Sequence, residues 1–232
     1  MSEDWVETAK AATGRRAADC VEDGMRVGLG TGSTVKHTII ALGERAPDVV
    51  CTATSVRSHE LATEVGLRVV SPDEITHLDI AIDGADEVSA DFYLTKGGGG
   101  AHTREKVVAT MSDRFIVVVD ERKLVDKLGA FGTPVEILPF APEVTAAWIR
   151  DLGASEVAFR QRSSDNGNLL ADARFGLIDD PAGLATALSA VPGLVEHGIF
   201  SKELVTEVMV AGRGGVSVLP APHEGAGPQG GA

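Results

Sequence analysis

Met25-Arg26-Val27-Gly28-Leu29-Gly30-Thr31-Gly32-Ser33-Thr34-Val35 passes from a short apolar run, through a glycine turn, into a segment of helical spacing. Met25 to Gly30 reads as a buried strand and Ser33 to about Arg45 as a helix, with Val35, Ile39, Ile40 and Leu42 on one face. A strand that feeds a helix across so tight a turn is the first half of a βαβ unit. The same rhythm continues on both sides. Trp5 to Val21 is helical in spacing, Val49 to Thr54 strand-like, Ser58 to Val65 helical and Leu67 to Val70 extended. Leu78 to Ile82 is a buried strand that runs straight into Asp83-Gly84-Ala85-Asp86. After Phe92 to Leu94 come five residues, Lys96 to Gly100, then a helix from about Ala101 to Met111 and the β-prone run Phe115 to Val119.

From Pro134 the order changes. Strand (Val135 to Leu138), helix (Pro142 to Leu152), strand (Glu156 to Arg160), strand (Leu169 to Arg174), helix (Pro181 to Ala190) and strand (Leu194 to Phe200) spell βαββαβ, the ferredoxin-like pattern. Asp165-Asn166-Gly167-Asn168 supplies its central turn. Leu204 to Val210 reads as a further strand that can return to the first sheet. The expected fold is α/β: a Rossmann-like, mainly parallel sheet domain formed by residues 1–131 and 202–219, with a smaller ferredoxin-like α+β domain inserted at 132–201. The Pro/Gly-rich stretch 220–232 is expected to be a disordered tail.

Composition narrows the function classes. Hydrophobic residues make up 44% of the 232 and charged residues 24%, as in soluble globular proteins, and no apolar run is long enough to span a bilayer. No membrane role is expected. The acidic start Met1-Ser2-Glu3-Asp4-Trp5 lacks the basic-then-apolar pattern of a secretory signal, so a cytoplasmic location is expected. Cys20 and Cys51 are too few for a disulfide framework and read as packing residues. A formal net charge of -13 with scattered basic residues argues against nucleic acid as a partner. The acidity fits either ordinary solubility or a salty cytoplasm. Exposed sheet edges and the small second domain lead us to expect a homodimer or homotetramer.

Three segments carry chemistry. Gly28 to Thr34 places free N–H groups and the positive end of a helix at one spot, with Thr31, Ser33 and Thr34 as hydroxyl donors and Gly32 letting backbone approach an anion. The same pattern also fits a plain βα turn capped by Ser33. A Walker loop is excluded because no lysine separates Gly32 from Ser33, and the dinucleotide fingerprint fails because Thr52-Ala53-Thr54 stands where an acid belongs. What remains is a small phosphate monoester, to which Lys10 on the first helix would add charge. Asp83-Gly84-Ala85-Asp86-Glu87 puts carboxylates at a strand's C-terminal end, suited to acid–base work or a metal, or simply a solvated turn.

Lys96-Gly97-Gly98-Gly99-Gly100-Ala101-His102-Thr103-Arg104-Glu105-Lys106 is the most informative of the three. Consecutive glycines before a helix are costly unless the backbone curls around something, and such a curl makes an N–H nest for an oxyanion. Gly97, Gly98 and Gly99 are its candidate donors, Lys96 its cation, and Glu105, one turn into the helix, a carboxylate base within reach. The bland alternatives are a flexible linker and a helix-start carboxylate favoured by the dipole. His102 and Glu105 lack the second histidine of a metal motif, so no metal is expected and His102 reads as exposed or capping.

GLGTGST, DGADE and KGGGGAHTREK, in this order and at these separations, closely resemble the A-type ribose-5-phosphate isomerases. The likeness extends to Asp120-Glu121-Arg122-Lys123, Pro134-Val135-Glu136 and Asp165 to Asn168, so it covers the chain to about Leu219. The resemblance implies an aldose–ketose isomerase that interconverts D-ribose 5-phosphate and D-ribulose 5-phosphate in the non-oxidative pentose phosphate pathway, with no cofactor and a small-molecule sugar phosphate as its partner. The family's catalytic glutamate falls on Glu105, its site aspartates on Asp83 and Asp86, and its lysine on Lys96. Its phosphate-binding residues fall on Thr31, Ser33, Thr34, Lys10 and Lys123. Two departures are His102, where the family often carries an apolar residue, and Gly100, where it has alanine.

Overall fold

The computed structural model describes residues 4–222. Its largest sheet has seven strands, in the order β3 (Arg68–Val69), β2 (Val50–Ala53), β1 (Arg26–Leu29), β4 (Leu78–Asp83), β7 (Ser112–Asp120), β14 (Glu207–Gly212) and β15 (Gly215–Pro220). All neighbours are parallel except β15, which pairs antiparallel with β14 at the edge. The chain builds outward from β1 to β3 and then returns to place β4 on the other side of β1. Loops leaving the C-terminal ends of β1 and β4 therefore diverge, opening the crevice in which sheets of this kind hold ligands.

Alternation along the central strands divides the core in two. Val27, Leu29, Ile80, Ile82, Ile116, Val118 and Met209 face α2 (Ser33–Arg45) and the end of α1 (Asp4–Ala18), packing on Val35, Ile39, Leu42, Ala17 and Ala18. Ala81, Phe115, Val117, Val119, Val208 and Val210 face the other way, against Val108 and Ala109 of α4 (His102–Thr110). Each fully buried aliphatic side chain contributes about 1.5–3 kcal/mol relative to exposure. Phe115 to Val119 is apolar without a break because β7 is covered on both faces.

A four-stranded antiparallel sheet runs β10 (Glu156–Ser163), β11 (Leu169–Arg174), β9 (Thr133–Ile137), β12 (Leu194–His197), with α5 (Pro142–Asp151) and α6 (Pro181–Ser189) as crossovers. Taken in chain order its first strand lies between its third and its fourth, as βαββαβ pairing requires. A third sheet runs β13 (Ile199–Phe200), β6 (Leu94–Thr95), β5 (Glu87–Ser89), β8 (Leu124–Val125), of which β5, β6 and β8 were not legible as strands, because they are two or three residues long.

Three expectations change. Leu194 to Phe200 is not one strand: it breaks at Gly198, whose N–H donates to Pro134 O while its carbonyl accepts from Lys96 N, so β12 and β13 join different sheets. The last parallel strand starts at Glu207, preceded by a 3-10 turn at Lys202–Leu204. Pro220 belongs to β15 opposite Glu207, and Ala221 is buried with its N–H donated to Thr206 O, so neither is tail. Residues 223–232 of the expected tail lie outside the described residues.

Candidate active site

The crevice is built where the βα turn after β1 meets the turn that joins β4 to β5. Asp83 ends β4, and its Oδ1 accepts from Thr31 N at 3.0 Å and Gly84 N at 2.7 Å, tying the turn after β1 to the turn after β4. Position 30 must be glycine for this, since a Cβ there would lie 2.1 Å from the Asp83 carboxyl. α2 starts at Ser33 with Gly32 at the capping position and no side-chain cap. Its first-turn N–H groups therefore face the crevice unspent, as an anion requires, and Ser33 is not the cap. The Thr31 hydroxyl joins a cluster with Thr54 (2.9 Å), Ser55 (2.7 Å) and Ser58 (3.3 Å). Thr54 and Ser55 thus fill the end of β2, where a dinucleotide site would need an acid.

Beneath the crevice lies a buried charged group. Lys96 Nζ is 3.0 Å from Asp83 Oδ2 and 3.2 Å from Glu105 Oε2, and it donates a hydrogen bond to Gly84 O. All three side chains are at most 4% exposed. The two carboxylate contacts are ion pairs rather than aligned hydrogen bonds, for neither Asp83 Oδ2 nor Glu105 Oε2 has a well-directed donor among the described residues. Burial, and then the charge of Asp83, push Glu105 up to about 8 against the pull of Lys96. Burial raises Asp83 as well, opposed by Lys96 and the two backbone N–H groups. Lys96 loses by burial but gains more from the two carboxylates, so it is raised and stays an ammonium. Its Nζ also sits 5.4 Å from the ring centroid of buried Phe200.

The glycine loop closes over this group. Asp86 Oδ2 accepts from Gly98 N at 2.7 Å, so that N–H is spent on the protein and Gly98 is not among the residues that line the crevice. Gly97 and Gly99 do line it, and their N–H groups have no acceptor among the described residues. His102 is fully buried, contrary to the exposed or capping role expected, with Nε2 3.3 Å from Glu196 O. Burial lowers it to about 4, which keeps the ring neutral. It packs under Gly97, where φ is 110° and a Cβ would meet the ring at 2.7 Å.

The expected residues meet around one cleft of ≈ 250 Å³, far too small for a dinucleotide and suited to a compact polar ligand. Lys10, Thr31, Gly32, Ser33, Thr34 and Lys123 line it together with Asp86, Lys96, Gly97, Gly99 and Glu105. Asp83 stands behind the lining and holds Lys96. Among the described residues Lys10 has one ion-pair contact, a long 3.8 Å to Glu7, and Lys123 lies 5.7 Å from the centroid of the Phe131 ring. Lining residues not anticipated are Val118, Val119, Asp120 and Arg122, from the end of β7 and the turn after it. The Asp120-Glu121-Arg122-Lys123 segment was the available signal, because it follows a buried strand at the same sheet edge. Arg122 is held by Asp120 through two hydrogen bonds at 2.7 and 3.0 Å.

The model of the family described as ribose 5-phosphate isomerase A (phosphoriboisomerase A) matches residues 50–215, well over half of the chain. A ribose-5-phosphate isomerase A of Thermomicrobium roseum is 44% identical over 227 residues, covering 92% of this chain and 94% of that protein. Among solved structures, ribose 5-phosphate isomerase A of Methanocaldococcus jannaschii superposes with a TM-score of 0.87 at 39% identity, covering 94% of this chain and 100% of its own. A D-ribose-5-phosphate isomerase in complex with phospho-erythronic acid superposes at 0.88 with 37% identity, covering 92% and 98%.

Proposed function

Because the chain belongs to the ribose-5-phosphate isomerase A family, we propose that it interconverts D-ribose 5-phosphate and D-ribulose 5-phosphate through an enediolate, with Glu105 as the base. As a family member it is an aldose–ketose isomerase, and the reaction places it in the non-oxidative pentose phosphate pathway. One observation carries the mechanism: Glu105, unspent glycine-loop N–H groups and the uncapped start of α2 all line one small cleft.

The phosphate goes to the N-terminus of α2, where Ser33 and Thr34 add hydroxyls and Lys10 and Lys123 add charge. Glu105 removes the proton from the carbon next to the carbonyl and returns it to the adjacent carbon. A raised pKa suits that cycle, since a base that must also give the proton back works best when its affinity for protons lies near the working pH. Lys96 and the N–H of Gly99 stabilise the oxygen on which enediolate charge develops. Asp86 faces the cleft and handles the hydroxyl protons and ring opening, whereas Asp83 works from behind by fixing Lys96. The sugar's own carbonyl acidifies the transferred proton, so the reaction asks for neither redox cofactor nor metal.

The test is turnover of ribose 5-phosphate in the presence of chelator, with exchange of the C2 hydrogen into solvent as the mark of an enediol. Glu105→Gln should lower kcat by about 10²-fold or more while leaving affinity for phospho-erythronic acid within a few-fold. Undiminished turnover in that variant would remove Glu105 from the role.

A further inference from the structure

Two arginines outside the cleft donate hydrogen bonds to successive carbonyls of the glycine loop. Arg160 and Arg162 stand two residues apart on β10 of the small sheet, on the same face of the strand. Arg160 Nη1 donates to Gly97 O at 2.8 Å and to Gly98 O at 3.3 Å, while Asp172 on the neighbouring strand grips the rest of its guanidinium through Nε and Nη2. Arg162 Nη2 donates to Gly98 O at 3.2 Å and Gly99 O at 2.9 Å. A trans peptide is planar, so its C=O and the N–H that follows point in opposite directions. Drawing Gly97 O toward Arg160 sends Gly98 N–H the other way, to Asp86, a residue of the cleft wall. Drawing Gly98 O toward both arginines likewise sends Gly99 N–H toward the cleft. That N–H has no acceptor among the described residues, and Gly99 lies beside Thr31 on the cleft wall.

We propose that Arg160 and Arg162 are positioning residues for the isomerisation: by holding the Gly98 carbonyl they aim the Gly99 N–H at the oxygen that becomes negatively charged in the enediolate. Glycine at 97–100 offers little resistance to a peptide flip, so without an external grip the 98–99 peptide would present a carbonyl to an anion for part of the time. The arginines close off that orientation before substrate arrives, which is where a preorganised donor gains its effect. This rests on the isomerase reading of the cleft.

Arg162 is exposed and can be changed with little risk to folding. R162A should lower kcat by about 10-fold with KM for ribose 5-phosphate changed less than about threefold. Phospho-erythronic acid, whose carboxylate has the shape and charge of an enediolate, should bind about 10-fold more weakly, while competition by inorganic phosphate stays as in the unaltered protein. R162K, which keeps a donor to the same carbonyls, should fall between the two. Turnover of R162A within twofold of the unaltered protein would overturn the proposal, as would equal loss of inorganic phosphate and phospho-erythronic acid. An unaltered protein that fails to convert ribose 5-phosphate overturns the isomerase reading instead, and the comparison of the two ligands in R162A still judges the arginines.

Discussion

Lys96 carries one positive charge between two buried carboxylates, so one carboxylate must give way as the pH falls toward neutrality. Asp83 has two backbone donors in addition to Lys96, whereas Glu105 Oε2 has no directed donor among the described residues, and the proton therefore goes to Glu105. With Glu105 as the proposed base, only its ionised form accepts a proton, so the acid limb of kcat/KM should lie well above the ordinary carboxylate value of 4.5; a pH–rate profile measures it. A carboxylate whose pKa is raised on folding binds more protons folded than unfolded. Its contribution to stability is thus lost as pH rises from about 4.5 toward 8. Glu105→Gln removes that loss, so its Tm relative to the unaltered protein should be higher at pH 8 than at pH 5 by at least about 2 °C in a thermal melt. These groups stood out in sequence as candidates, because carboxylates and a lysine gather beside glycine-rich turns, a pattern that also fits a solvated turn or a helix-start carboxylate. Their division of labour was not. Asp83 and Asp86 differ only in which way the chain turns after β4, and His102 gave no sign that a loop would pack on it.

Between neighbouring elements, the site depends on the turn after β1 and the turn after β4 lying closer than any side chain allows. A Cβ at position 30 would meet the Asp83 carboxyl at 2.1 Å, about 1 Å inside any tolerable contact. Gly30→Ala must separate the turn proposed to bind phosphate from the one that holds Lys96. We expect it to lower kcat/KM by about 10-fold or more and stability by about 1–3 kcal/mol, read from steady-state kinetics and urea denaturation. A fully active, unshifted variant would contradict the close approach. The turns themselves were readable, since glycine spacing between an apolar run and a helical pattern is local information. The very short strands β5, β6 and β8 were not, because two or three residues show no periodicity and are held by partners distant in sequence.

Across the whole molecule, the small sheet acts as a brace for the large one. Glu136 of β9 is fully buried, and its carboxylate accepts from Thr103 Oγ1 at the start of α4 (2.5 Å) as well as from Ser164, Asn166 and Asn168. Burial works to raise its pKa, but the four hydrogen bonds outweigh it and the group is held below its usual value. The same hairpin reaches α3 (Val56–Glu64), where Asp165 Oδ2 accepts from Val56 N at 2.9 Å. Glu136→Ala strands these donors, and should cost about 3 kcal/mol in urea denaturation and lower kcat, since Thr103 is two residues from Glu105. Unchanged kcat with the expected loss of stability would make Glu136 a purely structural residue. Local sequence was enough for the longer strands and helices, the glycine turns and the candidate acid, base and cation, because each is written in neighbouring residues by period, propensity and charge. Which aspartate faces the cleft, the spending of Gly98 N–H on Asp86, and the grip of arginines some sixty residues away on the loop all came from packing between distant segments. Those outcomes hang on the direction of individual peptide planes and buried charges, which are set by contacts between segments that local sequence does not encode.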